Sequence, residues 1–205
     1  MAAYRVRVAL ALKGVRADEI AINLDAGEQF AADFLSVNPE GAVPALVEAG
    51  KSPMTQSMAI LEYIDERFRE PPLLPADMHG RARVRSLAAL VVSDTHPLLV
   101  PRVRAYLKDE AGFDETALRA WSINWMTRGM RAIETRLVND PLTGKFCHGD
   151  RVTMADICLC SLATVAATFK FTLGDVPTLS GIVARCEAID AFACAHPMRQ
   201  MGAPP

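Results

Sequence analysis

The chain has 205 residues, 51% of them hydrophobic and 22% charged, and a net charge of -2 at pH 7. This suffices for one large globular domain or two small ones with ample core. It excludes a basic nucleic-acid-binding stripe, and no apolar run reaches the length of a membrane span.

The five cysteines, Cys147, Cys158, Cys160, Cys186 and Cys194, are odd in number and lie mostly in helix-like contexts. They read as small buried hydrophobes of a reducing compartment rather than a disulfide framework. No cysteine or histidine pair has zinc-ligand spacing, so no metal site is expected. No basic segment leads into an apolar stretch at the start, so no secretory signal is expected and the expected location is the cytoplasm.

Tyr4 to Lys13 reads as a helix, with Gly14 at the left-handed position that ends it. Ile20, Ile22 and Leu24 alternate with polar or small residues, a strand signature. Glu28 to Leu35 reads as a short helix and Asn38-Pro39-Glu40-Gly41 as a turn. Ala42 to Glu48 then predicts a strand, Ala49-Gly50 a hairpin turn and Lys51 to Met54 the partner strand. Ile60, Leu61, Ile64 and Phe68 mark the apolar face of the next helix.

Pro44 inside the predicted strand sacrifices a ladder hydrogen bond, a loss accepted at an edge or where a cis bond aims backbone groups at a ligand. Just beyond, Gln56 and Ser57 sit at a helix start, where free N–H groups and the helix dipole receive an anion. Taken singly, each is a common structural feature. At this spacing, together, they point to a site for a small acidic peptide.

Arg69 to Asp77 is rich in proline and is the expected linker. After it strand signals vanish. A long helix is expected from Met78, capped by Asp77 and broken by Pro97 and Pro101. Asp114 is placed to cap a second, running to about Val138 with Trp121, Trp125, Ile133 and Leu137 on its apolar side. Thr153-Met154-Ala155-Asp156 opens a third in a capping-box pattern, and Thr178 to Ile189 predicts a fourth. The fold class is therefore α/β plus all-α: a first domain over residues 1–69, a linker over 70–77 and a helical domain over 78–205.

Several stretches carry a resemblance across nearly the whole chain. They are Tyr4 to Gly14, Asn38-Pro39 leading to Val43-Pro44-Ala45-Leu46, Gln56-Ser57 with Ala59-Ile60, and Leu73-Leu74-Pro75-Ala76-Asp77. To these are added His96-Pro97, Gly149-Asp150 with Met154-Ala155-Asp156, and His196-Pro197 with Arg199-Gln200. The chain resembles the cytosolic glutathione transferases, and within them the zeta class of maleylacetoacetate and maleylpyruvate isomerases. The resemblance implies a thioredoxin-like first domain, a helical glutathione-transferase second domain, and a homodimer with glutathione as cofactor. It implies that Val43 pairs with the glutathione backbone, that Pro44 is cis, and that Gln56 and Ser57 hold the γ-glutamyl carboxylate. His96 matches a site-lining position, although a histidine beside Pro97 at a helix break is an equal reading. The expected dimer face is the helix from Met78 to Leu107, around Leu87, Leu90, Val91 and Asp94.

The chain also departs from the family pattern. A strand and a Ser-Ser pair precede the first helix in the family, and here Met1, Ala2 and Ala3 stand where they would end. Either the natural protein is longer or the chain has lost its catalytic serine, and the catalytic residue stays unknown. Thr168 replaces a substrate-carboxylate arginine, with Lys170 nearby. Arg5, with Arg7 and Arg102, is a candidate partner for a substrate carboxylate. The expected activity is glutathione-dependent cis-trans isomerisation of a maleyl-type dicarboxylate in aromatic catabolism. Two alternatives stay open: a general glutathione transferase for small electrophiles, and a non-catalytic glutathione-fold binding protein.

Overall fold

A computed structural model describes residues 1–168 and 175–200. The chain divides into two compact units, Met1–Pro72 with Ala188–Pro205, and Leu73–Glu187.

The first unit opens with helix α1, Ala2–Leu12. Tyr4, Arg5, Val8 and Ala9 recur at helical spacing and bury one face. The helix stops where Gly14 turns left-handed at φ +66°. Val15 N–H then reaches back to Leu10 C=O at 2.9 Å and Gly14 N–H to Ala11 C=O at 3.1 Å, satisfying two carbonyls the helix cannot.

Ile20, Ile22 and Leu24 do not form the expected strand. Residues 15–23 carry no regular structure, and Ile20 is 87% exposed. A strand stands only when paired, and among the described residues none pairs with this segment. Local bonds win instead. Asn23 Oδ1 accepts from Asp25 and Ala26 N–H, and Glu28 Oε2 accepts from Asn23 N–H at 2.7 Å. The expected helix from Glu28 is also split. Extended backbone at Ala31 separates a 3-10 turn, Glu28–Phe30, from helix α2, Ala32–Val37.

The sheet is an antiparallel pair, β1 (Ala45–Leu46) and β2 (Met54–Thr55), in register Ala45↔Thr55 and Leu46↔Met54. Both strands are shorter than their alternation suggested. Pro44 offers no N–H to extend β1 backward, and Asn38 Nδ2 takes the Ala42 carbonyl at 2.6 Å. Helix α3, Ser57–Arg67, follows β2 and buries Ile60, Leu61 and Ile64 completely.

α3 packs on α1, and the pair is tied by Lys13. The Lys13 ammonium donates to Asp65 Oδ1 at 2.7 Å and to Pro71 C=O at 2.6 Å. Helix α9, Asp190–Ala195, also packs on α1. The last segment therefore belongs with this unit rather than with the helical domain expected over 78–205. Arg7 Nε on Ala195 C=O at 3.2 Å and an edge-on Tyr4–His196 ring contact at 6.2 Å fasten it there.

The second unit is helical. Asp77 Oδ1 accepts from Gly80 N–H at 2.7 Å and starts helix α4, Met78–Ala89. The chain continues through a π-helical turn, Leu90–Thr95, and a 3-10 turn, His96–Leu99, and after extended backbone at Val100 enters helix α5, Pro101–Asp109. Pro97 is the second residue of its 3-10 turn and Pro101 the first of α5, positions where a missing N–H is harmless. Thr95 Oγ1 donates to Leu90 C=O at 2.8 Å across the π turn. Leu87 and Val91 are 3% and 1% exposed within this unit, so they are not the free face expected for a dimer. Leu90 is half-buried and Asp94 exposed.

Asp114 caps helix α6, Glu115–Val138, by accepting from Ala117 N–H at 2.7 Å. Its buried stripe is Leu118, Ser122, Met126, Met130, Ile133 and Leu137, with Trp121 and Trp125 half-buried beside it. Helix α7, Met154–Thr168, is buried on nearly every side, as its almost continuous apolar run requires. Helix α8, Pro177–Glu187, packs on α6 and α7. Its first N–H groups are capped from outside: Glu134 of α6 accepts from Thr178 N–H at 2.9 Å and Leu179 N–H at 2.8 Å. Arg83 is buried on α4, where it donates to Asp140, Thr143 Oγ1 and the Cys147 carbonyl. These bonds lock the loop after α6.

Candidate functional site

The register of the strand pair assembles the site. Ala45 opposite Thr55 carries Pro44 and Gln56 to the same end of the ladder. Val43 precedes Pro44 through a cis peptide bond. Its placement is set by Asn38, which is 1% exposed. The Asn38 side chain donates to Ala42 C=O and accepts from Glu40 N–H at 3.1 Å, closing the turn that delivers Val43. Val43 is half-buried, and no described group hydrogen-bonds its main chain. A residue with N–H and C=O unused beside a strand end is suited to pair with a peptide.

On the other strand, Gln56 is the one non-glycine residue at positive φ among the described residues, with φ 67° and ψ 111°. Such a backbone costs of order 1–3 kcal/mol and gathers at ligand sites. Its side-chain amide donates to Glu40 Oε2 at 2.7 Å. Ser57 opens α3, whose N-terminus has no side-chain cap. Ser57 is 7% exposed, and its hydroxyl accepts from Arg5 Nη1 at 3.2 Å. Helix dipole, hydroxyl and guanidinium thus converge where an anion would sit.

Of the residues expected from sequence, Val43, Pro44, Gln56 and Ser57 fall together in the first unit. His96 belongs to the second, as first residue of the 3-10 turn His96–Leu99. Arg5, expected as a partner of a substrate carboxylate, is 2% exposed and turned to Ser57 instead. Its role at Ser57 was missed, although a signal existed. Arg5 shares the apolar face of α1 with Val8 and Ala9, and a buried arginine requires a partner. Arg7 is taken up by Ala195 C=O and Glu19, and Arg102 is exposed on α5. Phe169 and Lys170 lie outside the described residues, as does the side chain of Thr168.

Cys147 and His148 are not a nucleophilic pair. Burial, then the nearby Asp156, pushes the Cys147 thiol well above its ordinary value, and His148 Nδ1 lies 3.3 Å from Arg83. Asp156 is structural. Its carboxylate accepts from Thr153 N–H, Thr153 Oγ1 and Cys147 N–H at 2.7–2.8 Å, so the expected capping box also ties down the preceding loop. Among the described residues no cluster of three or more His, Cys, Asp or Glu side chains could hold a metal. No described helix is long and apolar enough to cross a membrane.

Comparison with known proteins places this geometry. Residues 1–66 match the family described as "Glutathione S-transferase, N-terminal domain". A maleylacetoacetate isomerase of Rhizobium meliloti (strain 1021) is 42% identical over 97% of this chain and 92% of its own length. A crystal structure of maleylacetoacetate isomerase from Methylobacterium extorquens AM1, with bound malonate and glutathione, is 47% identical. It covers 100% of this chain and 95% of its own, with a TM-score of 0.97. The holo structure of a maleylpyruvate isomerase, a bacterial zeta-class glutathione S-transferase, is 38% identical over 99% of this chain and 95% of its own, with a TM-score of 0.95.

Proposed function

Since the chain belongs to the zeta-class glutathione transferases, the family of the maleylacetoacetate and maleylpyruvate isomerases, we propose that it isomerises a maleyl-type dicarboxylate with glutathione as cofactor. One observation carries this most directly. A relative superimposing on the whole chain holds glutathione together with malonate, a small dicarboxylate. The fold agrees with that family: a small α/β unit with the thioredoxin-like glutathione-transferase domain, and a helical unit after it.

The residues present fit glutathione. The unused main chain of Val43 is assigned to the cysteinyl backbone, and Pro44 keeps that edge free of a competing N–H. Gln56 and Ser57, at the start of α3, are assigned to the γ-glutamyl carboxylate. His96 joins this assignment on the family resemblance alone. Bound, glutathione supplies a thiolate that adds to the maleyl double bond and leaves after rotation, so the cofactor is regenerated. The protein's part is to hold the peptide in one register, so that the thiol meets the double bond at high effective concentration. The positive end of α3 and the Arg5 guanidinium favour the bound anion electrostatically.

A homodimer in the cytoplasm completes the proposal. The π-helical turn after α4, with Leu90 and Asp94, is the face to test for pairing; sedimentation at micromolar concentration showing only monomer would remove it. For the activity, purified protein is mixed with maleylpyruvate or maleylacetoacetate, with and without glutathione, and the trans product is followed. Turnover only with glutathione is expected. Absence of both turnover and calorimetric glutathione binding would overturn the assignment.

A further inference from the structure

Arg5 and Ser57 lie fifty-two residues apart on α1 and α3, yet their side chains meet at 3.2 Å in a buried setting. A guanidinium has only donors, so in this bond the serine oxygen must accept. A serine hydroxyl carries one proton, and none of the hydrogen bonds among the described residues uses it. Arg5 therefore takes one lone pair of the Ser57 oxygen and leaves its proton ready to be given. A carboxylate is the partner that state selects, because it only accepts.

From this we infer that Arg5 is a positioning residue for the γ-glutamyl carboxylate of glutathione, acting through Ser57. At 2% exposure Arg5 is itself shielded from solvent, so its charge is felt at the serine with little screening. The packing of α1 on α3 and the Lys13–Asp65 bond fix the distance between the two helices that carry the pair. A lysine at position 5 would retain the charge but not the planar fork that keeps one N–H on the serine. The role rests on the glutathione site proposed above, and its test separates the two.

Two peptides are titrated by calorimetry: glutathione, and 4-aminobutyryl-cysteinylglycine, which is glutathione without the γ-glutamyl α-carboxylate. Ser57→Ala should weaken glutathione about ten- to a hundredfold, the range for one hydrogen bond to a charged group, and leave the analogue unchanged. Arg5→Met should show the same selective loss. The double variant should lose no more than the worse single variant, because both remove one interaction. A purely structural arginine would weaken both peptides equally, and that result overturns the inference. So does an Arg5→Met protein that binds glutathione as wild type does while Ser57→Ala keeps its selective loss; the glutathione site then stands without Arg5. If Arg5→Met does not fold, Arg5→Lys decides: a smaller loss confined to glutathione supports the role, and equal affinities or equal losses for both peptides overturn it. If Ser57→Ala changes neither affinity, the site assignment falls and the inference with it.

Discussion

Lys13 Nζ lies 2.7 Å from Asp65 Oδ1, with the lysine side chain wholly buried and the aspartate only 10% exposed. The pair spans α1 and α3, the helices that carry Arg5 and Ser57. Buried charges that keep their partner are tolerated, whereas a lone one is costly. Lys13→Met should therefore destabilise the protein by roughly 3 kcal/mol or more, and Lys13→Met with Asp65→Leu should recover much of that loss. Denaturant midpoints of the three proteins check this. Equal midpoints for wild type and Lys13→Met would show the pair to be inert.

Gln56→Gly should separate stability from binding. Glycine adopts φ 67° without a Cβ penalty. The variant is expected to gain up to about 1 kcal/mol in stability while its glutathione affinity falls. A variant that melts lower than wild type would mean the side-chain bond to Glu40 outweighs the backbone strain.

Gly129 lets α6 approach the π-helical turn. A Cβ there would meet Thr95 Oγ1 at 2.2 Å and Thr95 Cγ2 at 2.7 Å. Thr95 is buried and its hydroxyl is committed to Leu90, so it has little room to yield. Gly129→Ala should cost about 1–3 kcal/mol, the usual range for overpacking. Adding Thr95→Ala should relieve most of it. Failure of the second substitution to recover any stability would locate the crowding elsewhere.

The Arg83–Asp140 contact sets a pH dependence. Arg83, and then the Leu142 N–H, hold the Asp140 carboxyl below its ordinary value of 3.8. A group with a lowered folded-state pKa contributes stability above its unfolded value and loses it as pH falls through the folded one. Asp140→Asn should accordingly be less stable than wild type at neutral pH. The gap should close in acid, beginning near pH 3.8 and finishing below the folded pKa. Urea midpoints at a series of pH values test the sign, and a gap that widens with acidification would contradict it.

Much of the helical architecture was legible because its signals are local. Gly14 at the end of α1, Asp77 and Asp114 as caps, Pro97 and Pro101 as breaks, and Thr153 with Asp156 all act within about one turn of chain. The strand-end proline and the helix start at Gln56-Ser57 were legible for the same reason. Pro44 lacks its N–H wherever it stands, whereas the positive φ of Gln56 was not announced by its residue type.

The failures were non-local. Ile20, Ile22 and Leu24 have strand alternation, but alternation specifies a face, and a strand also needs a neighbour to bond. The apolar face of the first long helix resembled a dimer surface until packing within the unit buried Leu87 and Val91. The segment from Ala188 continues a helical sequence yet settles on α1, held by Arg7 and Tyr4 from the other end of the chain.

By itself, the sequence determined two local features: a proline that silences one backbone donor, and a polar pair at a helix start, which together made these residues candidates for an anionic peptide. Only the tertiary structure decided how that site is wired. Arg5 meets Ser57 because Lys13, Asp65 and the apolar faces of α1 and α3 press the two helices together. A hydrogen bond across fifty-two residues depends on distance and direction in space, and neither is written in the local pattern of either helix.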